Sequence, residues 1–117
     1  MAKKILIVDD DPNVITYLTD FFGDNGYDTC SALDGPEAME VVKREKPDLI
    51  TLDLEMPEEW GPRFYRKLMQ VKEFKNIPVI VISGLTGSKY AIQKAVGSLM
   101  KPFDRDELLK IVKNTIG

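Results

Sequence analysis

Short apolar runs and helical stripes alternate five times along this chain. Ile5-Leu6-Ile7-Val8 is apolar without a break, as in a strand buried on both faces, and predicts a first strand over Lys4–Val8. Pro12 opens a helix with Asp11 as its cap and Gly23 as its stop. Within it Val14, Ile15, Leu18, Phe21 and Phe22 fall on one face at helical spacing. Asn25-Gly26 predicts a turn into a second strand near residues 27–32. Gly35-Pro36 opens a second helix that buries Ala38, Met39, Val41 and Val42, and Lys46-Pro47 closes it. A third strand follows over Leu49–Leu52. Gly61-Pro62 starts a third helix carrying Phe64, Tyr65, Leu68 and Met69. Asn76 and Pro78 punctuate the approach to a fourth strand over residues 79–82. A fourth helix is expected between Gly87 and Val96, and a fifth strand over residues 98–100. Asp104 with Glu107 predicts a capping box for a last helix burying Leu108, Leu109, Ile111 and Val112. Strands alternating with helices imply an α/β fold, a parallel sheet with right-handed crossovers.

All strands of a parallel sheet end on one edge, where open α/β folds bind their ligands. Four predicted strands run there into chemistry-bearing residues: Asp9-Asp10-Asp11, Asp53, Ser83, and Lys101-Pro102. Asp11, beside Pro12, is the natural helix cap. A cap does not need Asp9 and Asp10 as well, and two adjacent carboxylates repel unless a divalent cation relieves them. Magnesium commonly takes one or two carboxylates and completes its shell with water and phosphate oxygens. Asp53 sits at the mouth of a deeply placed strand, and a carboxylate is a competent nucleophile. Ser83 and Lys101 are weak signals alone: such a serine often satisfies local backbone, and such a lysine usually reaches solvent.

The order of these strand ends resembles the response-regulator receiver domain of two-component signalling, over nearly the whole chain. The closest matches are Ile5-Leu6-Ile7-Val8-Asp9-Asp10, Asp53-Leu54-Glu55-Met56-Pro57 with Gly61 beyond it, and Lys101-Pro102-Phe103. The resemblance implies a doubly wound sheet of five parallel strands in the flavodoxin-like order 2-1-3-4-5, with helices on both faces. It implies that Asp53 accepts a phosphoryl group from a sensor histidine kinase or phosphotransfer protein. Asp9, Asp10, Asp53 and the backbone carbonyl of Glu55 then bind Mg2+ (or Mn2+), while Lys101 and Ser83 contact the phosphoryl oxygens. The Lys101-Pro102 bond is expected to be cis. A receiver of this kind is a switch rather than an enzyme, and passes its signal to a downstream protein or output domain.

The pattern departs from the family between Ser83 and Lys101, a stretch about one helical turn short. Ser98 replaces the usual aromatic, and Gly84 the usual alanine. The fourth helix is therefore expected to be short, displaced or irregular. Tyr90 is expected to pack, and phosphorylation to alter the order of residues 84–96 more than one side chain. Trp60 is expected to cover its loop and the start of the third helix.

Composition narrows the choice further. The chain has 117 residues, 44% of them hydrophobic, enough for one receiver-sized domain over residues 1–117. With no histidine and one cysteine, a nitrogen- or sulfur-ligated metal site is nearly excluded, so any metal is a hard cation on oxygen. Cys30 forms no intramolecular disulfide and reads as a small core residue. The net charge of −3 with interspersed signs gives no nucleic-acid footprint. No apolar run is long enough for a bilayer, and the chain reads as cytoplasmic, without membrane contact. Three other classes fit the sequence less well. A haloacid-dehalogenase-type phosphatase lacks its Asp-x-Asp arrangement and room for a cap domain. A flavodoxin-like cofactor binder needs a phosphate-cradling first loop, whereas this one is acidic. A pseudo-receiver would not need the complete acid, serine and lysine set.

Overall fold

The computed structural model describes residues 2–84 and 95–117. Five parallel strands, β1 (Lys4–Val8), β2 (Asp28–Ala32), β3 (Leu49–Leu52), β4 (Val79–Ser83) and β5 (Gly97–Met100), form one sheet in the order β2-β1-β3-β4-β5. Among the described residues four helices accompany them: α1 (Pro12–Asp24), α2 (Gly35–Glu45), α3 (Trp60–Met69) and α4 (Arg105–Ile116). The helix expected between Gly87 and Val96, Tyr90, and most of the segment expected to change order fall on residues 85–94, outside the described residues.

Side-chain alternation along the strands divides the interior into two layers. Leu6, Val8, Ile50, Leu52, Val79 and Val81 face one side and meet Ala38, Val41 and Val42 of α2 and Phe64 and Leu68 of α3. Ile5, Ile7, Leu49, Ile80, Ile82 and Leu99 face the other, against Leu18 and Phe22 of α1 and Leu108 and Val112 of α4. The unbroken apolar runs of β1, β3 and β4 follow from burial on both faces. Cys30, half-buried, packs against the first layer, and burial pushes its thiol up to about 11.

Several boundaries differ from the sequence reading. Gly23 does not stop α1. The helix runs on to Asp24, the Asn25 side chain donates to the Phe21 carbonyl at 2.8 Å, and the left-handed residue is Gly26, with φ +88°. β2 starts at Asp28 and β5 at Gly97. α3 begins at Trp60, one residue before Gly61, after a 3-10 turn over Pro57–Glu59. Asp104 caps α4 by accepting from the Asp106 amide at 2.8 Å rather than from Glu107. A reciprocal cap stands instead at α2. Asp34 accepts from the Glu37 amide at 2.8 Å, and the Glu37 carboxylate accepts from the Leu33 amide at 2.8 Å.

Candidate phosphoryl and metal site

Strand register brings the acids together. Val8 pairs with Leu52, so Asp9 and Asp53, each one residue further, leave adjacent strands at the same level. The Asp53 amide donates to the Val8 carbonyl at 2.9 Å and fixes that alignment. Asp9 and Asp53 are 3% and 2% exposed, whereas Asp10 is open to solvent. Each of the three presents an oxygen within 4.8 Å of the other two.

Lys101 reaches into this cluster from the end of β5. Its ammonium donates to Asp9 Oδ2 at 2.8 Å and lies 3.7 Å from Asp53 Oδ2. Asp9 Oδ1 accepts from the Asp11 amide and Asp53 Oδ1 from the Glu55 amide, both at 2.9 Å. Asp11 itself caps α1, accepting from the Asn13 amide at 2.9 Å. Ser83 closes β4, fully buried, and its carbonyl accepts from the Lys101 amide at 3.0 Å. The hydroxyl and ammonium residues are thus bonded neighbours on the same edge as the acids. The Lys101-Pro102 bond is cis, as the resemblance implied.

Burial dominates the electrostatics of Asp53 and pushes its carboxyl up to about 6. The Glu55 amide and the Lys101 charge work against this rise, and the charges of Asp9 and Asp10 add to it. Burial also pulls the Lys101 ammonium down, but its hydrogen bond to Asp9 and the charge of Asp53 outweigh burial and leave it raised. Three carboxylates against one ammonium leave an excess of negative charge. An all-oxygen donor set carrying that charge suits a hard divalent cation such as magnesium.

Two glycines at the rim owe their roles to contacts that only the fold creates. A β-carbon at Gly84 would meet Glu55 Oε1 at 2.9 Å, so the glycine makes room for the Glu55 carboxylate at the site mouth. A β-carbon at Gly61 would come within 2.5 Å of Leu54 Cα and 2.7 Å of the Asp53 carbonyl oxygen, so α3 starts directly against the end of β3.

Residues 5–113 match the family model of the response regulator receiver domain. The chain belongs to the response regulator receiver family. As a receiver it is a phospho-accepting component of two-component signalling. It is 37% identical to sporulation initiation phosphotransferase F of Bacillus subtilis over 118 residues, covering 97% of this chain and 93% of that protein. The structure is similar to chemotaxis protein CheY4 of Vibrio cholerae, with a TM-score of 0.91 and 28% identity over 99% of this chain and 100% of that one. It is similar also to the receiver domain of the sensor histidine kinase PA1611 of Pseudomonas aeruginosa, which has a magnesium ion coordinated in its active-site cleft. There the TM-score is 0.89 at 27% identity, covering 100% of this chain and 99% of that one.

Proposed function

We propose that Asp53 is the phosphoacceptor and that a histidine kinase or phosphotransfer protein supplies the phosphoryl group from a phosphohistidine. The observation that carries this reading is the placement of one buried carboxylate at the mouth of β3, beside two further acids and 3.7 Å from an ammonium. Asp53 Oδ1 is held by the Glu55 amide, which fixes the carboxylate plane. An oxygen of Asp53 forms a bond to phosphorus while the phosphorus–nitrogen bond of the donor breaks. The electron pair of that bond returns to the imidazole nitrogen. Lys101 then meets the phosphoryl oxygens as a point charge, and the Ser83 hydroxyl donates to them. Asp9, Asp10 and Asp53 with the Glu55 backbone carbonyl would hold magnesium. When bound, that ion neutralises the crowded carboxylates and the incoming phosphoryl oxygens.

The donor must approach over the rim of this edge. A groove of about 380 Å³ lies beside Lys101, lined by Asn13, Val14, Tyr17, Pro102 and Phe103. Tyr17 is 45% exposed and stacked on Phe21, with ring centroids 6.4 Å apart. This apolar shoulder is where we place the donor protein. We read the chain as a cytoplasmic switch acting on a downstream partner, not as an enzyme in its own right. Among the described residues no helix is long and apolar enough to cross a membrane.

Intact-mass measurement after acetyl phosphate and magnesium tests the assignment. One phosphate is expected on the wild type and none on Asp53→Asn. Lys101→Ala is expected to lower the rate. A phosphate retained by Asp53→Asn would remove Asp53 from the role.

A further inference from the structure

Trp60, Arg63, Lys67 and Gln70 follow one another at intervals of three and four residues and so form a stripe along α3, with Arg66 beside it. The five residues line a cavity of about 390 Å³ that contains none of the phosphoryl-site residues. The Trp60 indole forms its floor, resting on Gly35 of α2, where any side chain would collide with the ring. The Arg63 guanidinium carbon stands 5.1 Å from the indole centroid and the Lys67 ammonium 4.9 Å. Cation–π contact of this kind holds two long side chains in place before any ligand arrives. Arg63, Arg66 and Lys67 are exposed and form no ion pair among the described residues. α3 contains no carboxylate, yet the whole chain carries −3.

We propose that this groove docks an acidic segment of a partner protein, one that interleaves aspartate or glutamate with a bulky apolar residue. The three cations take the carboxylates, and the apolar side chain packs on the indole edge and on the methylene stems of Arg63 and Lys67 beside it. Length agrees with a short peptide: ten residues of helical rise, about 15 Å, match four or five residues of extended chain. Nucleic acid fits less well, because affinity for it comes from many phosphate contacts over a broadly basic face, and this chain is acidic beyond the stripe. The surface lies on the α2–α3 side of the sheet, while the groove beside Lys101 lies on the α1 side. Two partners could therefore be held at once.

The chain has a single tryptophan, so its emission reports on this groove. The test titrates the whole chain with a capped peptide, Glu-Asp-Leu-Glu-Asp-Leu-Glu-Asp, followed by Trp60 fluorescence and by calorimetry. A peptide with lysine at the acidic positions and an oligo-thymidylate serve as competing probes. Saturable binding is expected for the acidic peptide alone, weakened by salt and reduced at least tenfold in Arg66→Glu. Far-ultraviolet circular dichroism checks that the variant folds, and its phosphorylation by acetyl phosphate should stay at the wild-type level. If Arg66→Glu does not fold, the neutral pair Arg63→Gln, Lys67→Gln, read by calorimetry, must show the same loss. No binding up to millimolar peptide, equal binding of the lysine peptide, tighter binding of the oligonucleotide, or unchanged affinity in the folded variants would overturn the proposal. A phosphorylation failure at Asp53 would leave these outcomes unaffected, because the groove is a separate surface.

Discussion

Asp53 holds its carboxylate where water cannot solvate it, and this has a measurable consequence. With its carboxyl raised to about 6, the folded chain keeps a proton between about pH 4 and 6 that the unfolded chain has already released. In metal-free buffer the stability contributed by this group is therefore fully present below about pH 4. It is lost as pH rises through 6. Asparagine has no such titration. Asp53→Asn is expected to gain on the wild type as pH rises from 4 to 7, by a difference on the order of 2 kcal/mol. Urea unfolding of both proteins across that range is the check, and a difference independent of pH would contradict it. Asp9 and Asp53 were legible in the sequence, because each follows an apolar run too deep to leave it in bulk solvent, whereas Asp10, which is exposed, stood out only as a second carboxylate beside Asp9. Lys101 was legible only in company: no local pattern says that its ammonium crosses to Asp9 rather than reaching water. The Glu55–Gly84 contact left no signal beyond the glycine itself, since it depends on how two strand ends lie beside one another.

Elements were read best where burial on two faces left unbroken apolar runs, as in β1, β3 and β4, and least well at their ends. Gly23 looked like a helix stop, yet the required left-handed backbone falls at Gly26, after Asn25 has capped the Phe21 carbonyl. The reciprocal cap of α2 was present in the sequence as Asp34 and Glu37, three residues apart, but the Gly35-Pro36 pair between them drew the boundary instead. Gly61 shows why an element end matters to the chemistry. Its missing side chain lets α3 begin against the backbone of Leu54 and the Asp53 carbonyl, which cannot retreat as a flexible side chain would. Gly61→Ala is expected to cost about 1–3 kcal/mol by overpacking. It should also slow phosphorylation by acetyl phosphate about 10–100-fold, because the nucleophile is displaced. Chemical denaturation and single-turnover phosphorylation measure the two effects. A variant as stable and as fast as wild type would show that the strand end can give way.

For the molecule as a whole, the parallel α/β architecture was accessible from alternation alone, while the strand order came from the family resemblance. The sheet then collects Asp9, Asp10, Asp53, Ser83 and Lys101 from four strands separated by up to 92 residues of chain. Three acids so gathered oppose folding, and a bound divalent cation offsets them. Magnesium at one hundred times its Kd is expected to stabilise the fold by about 2.7 kcal/mol. An Asp9→Asn, Asp10→Asn double variant should show little of that gain, and thermal melts with magnesium or with chelator measure it. An equal gain in the double variant would place the ion elsewhere. The central claim is that this assembly delivers a phosphoryl group to Asp53 alone. Its most direct test is to phosphorylate the chain with acetyl phosphate and magnesium, reduce the acyl phosphate with borohydride, and map the product by peptide mass spectrometry. The account predicts conversion of residue 53 to homoserine, dependent on magnesium and absent under chelator. Homoserine at position 9 or 10, or an unreduced phosphate ester on Ser83, would contradict it.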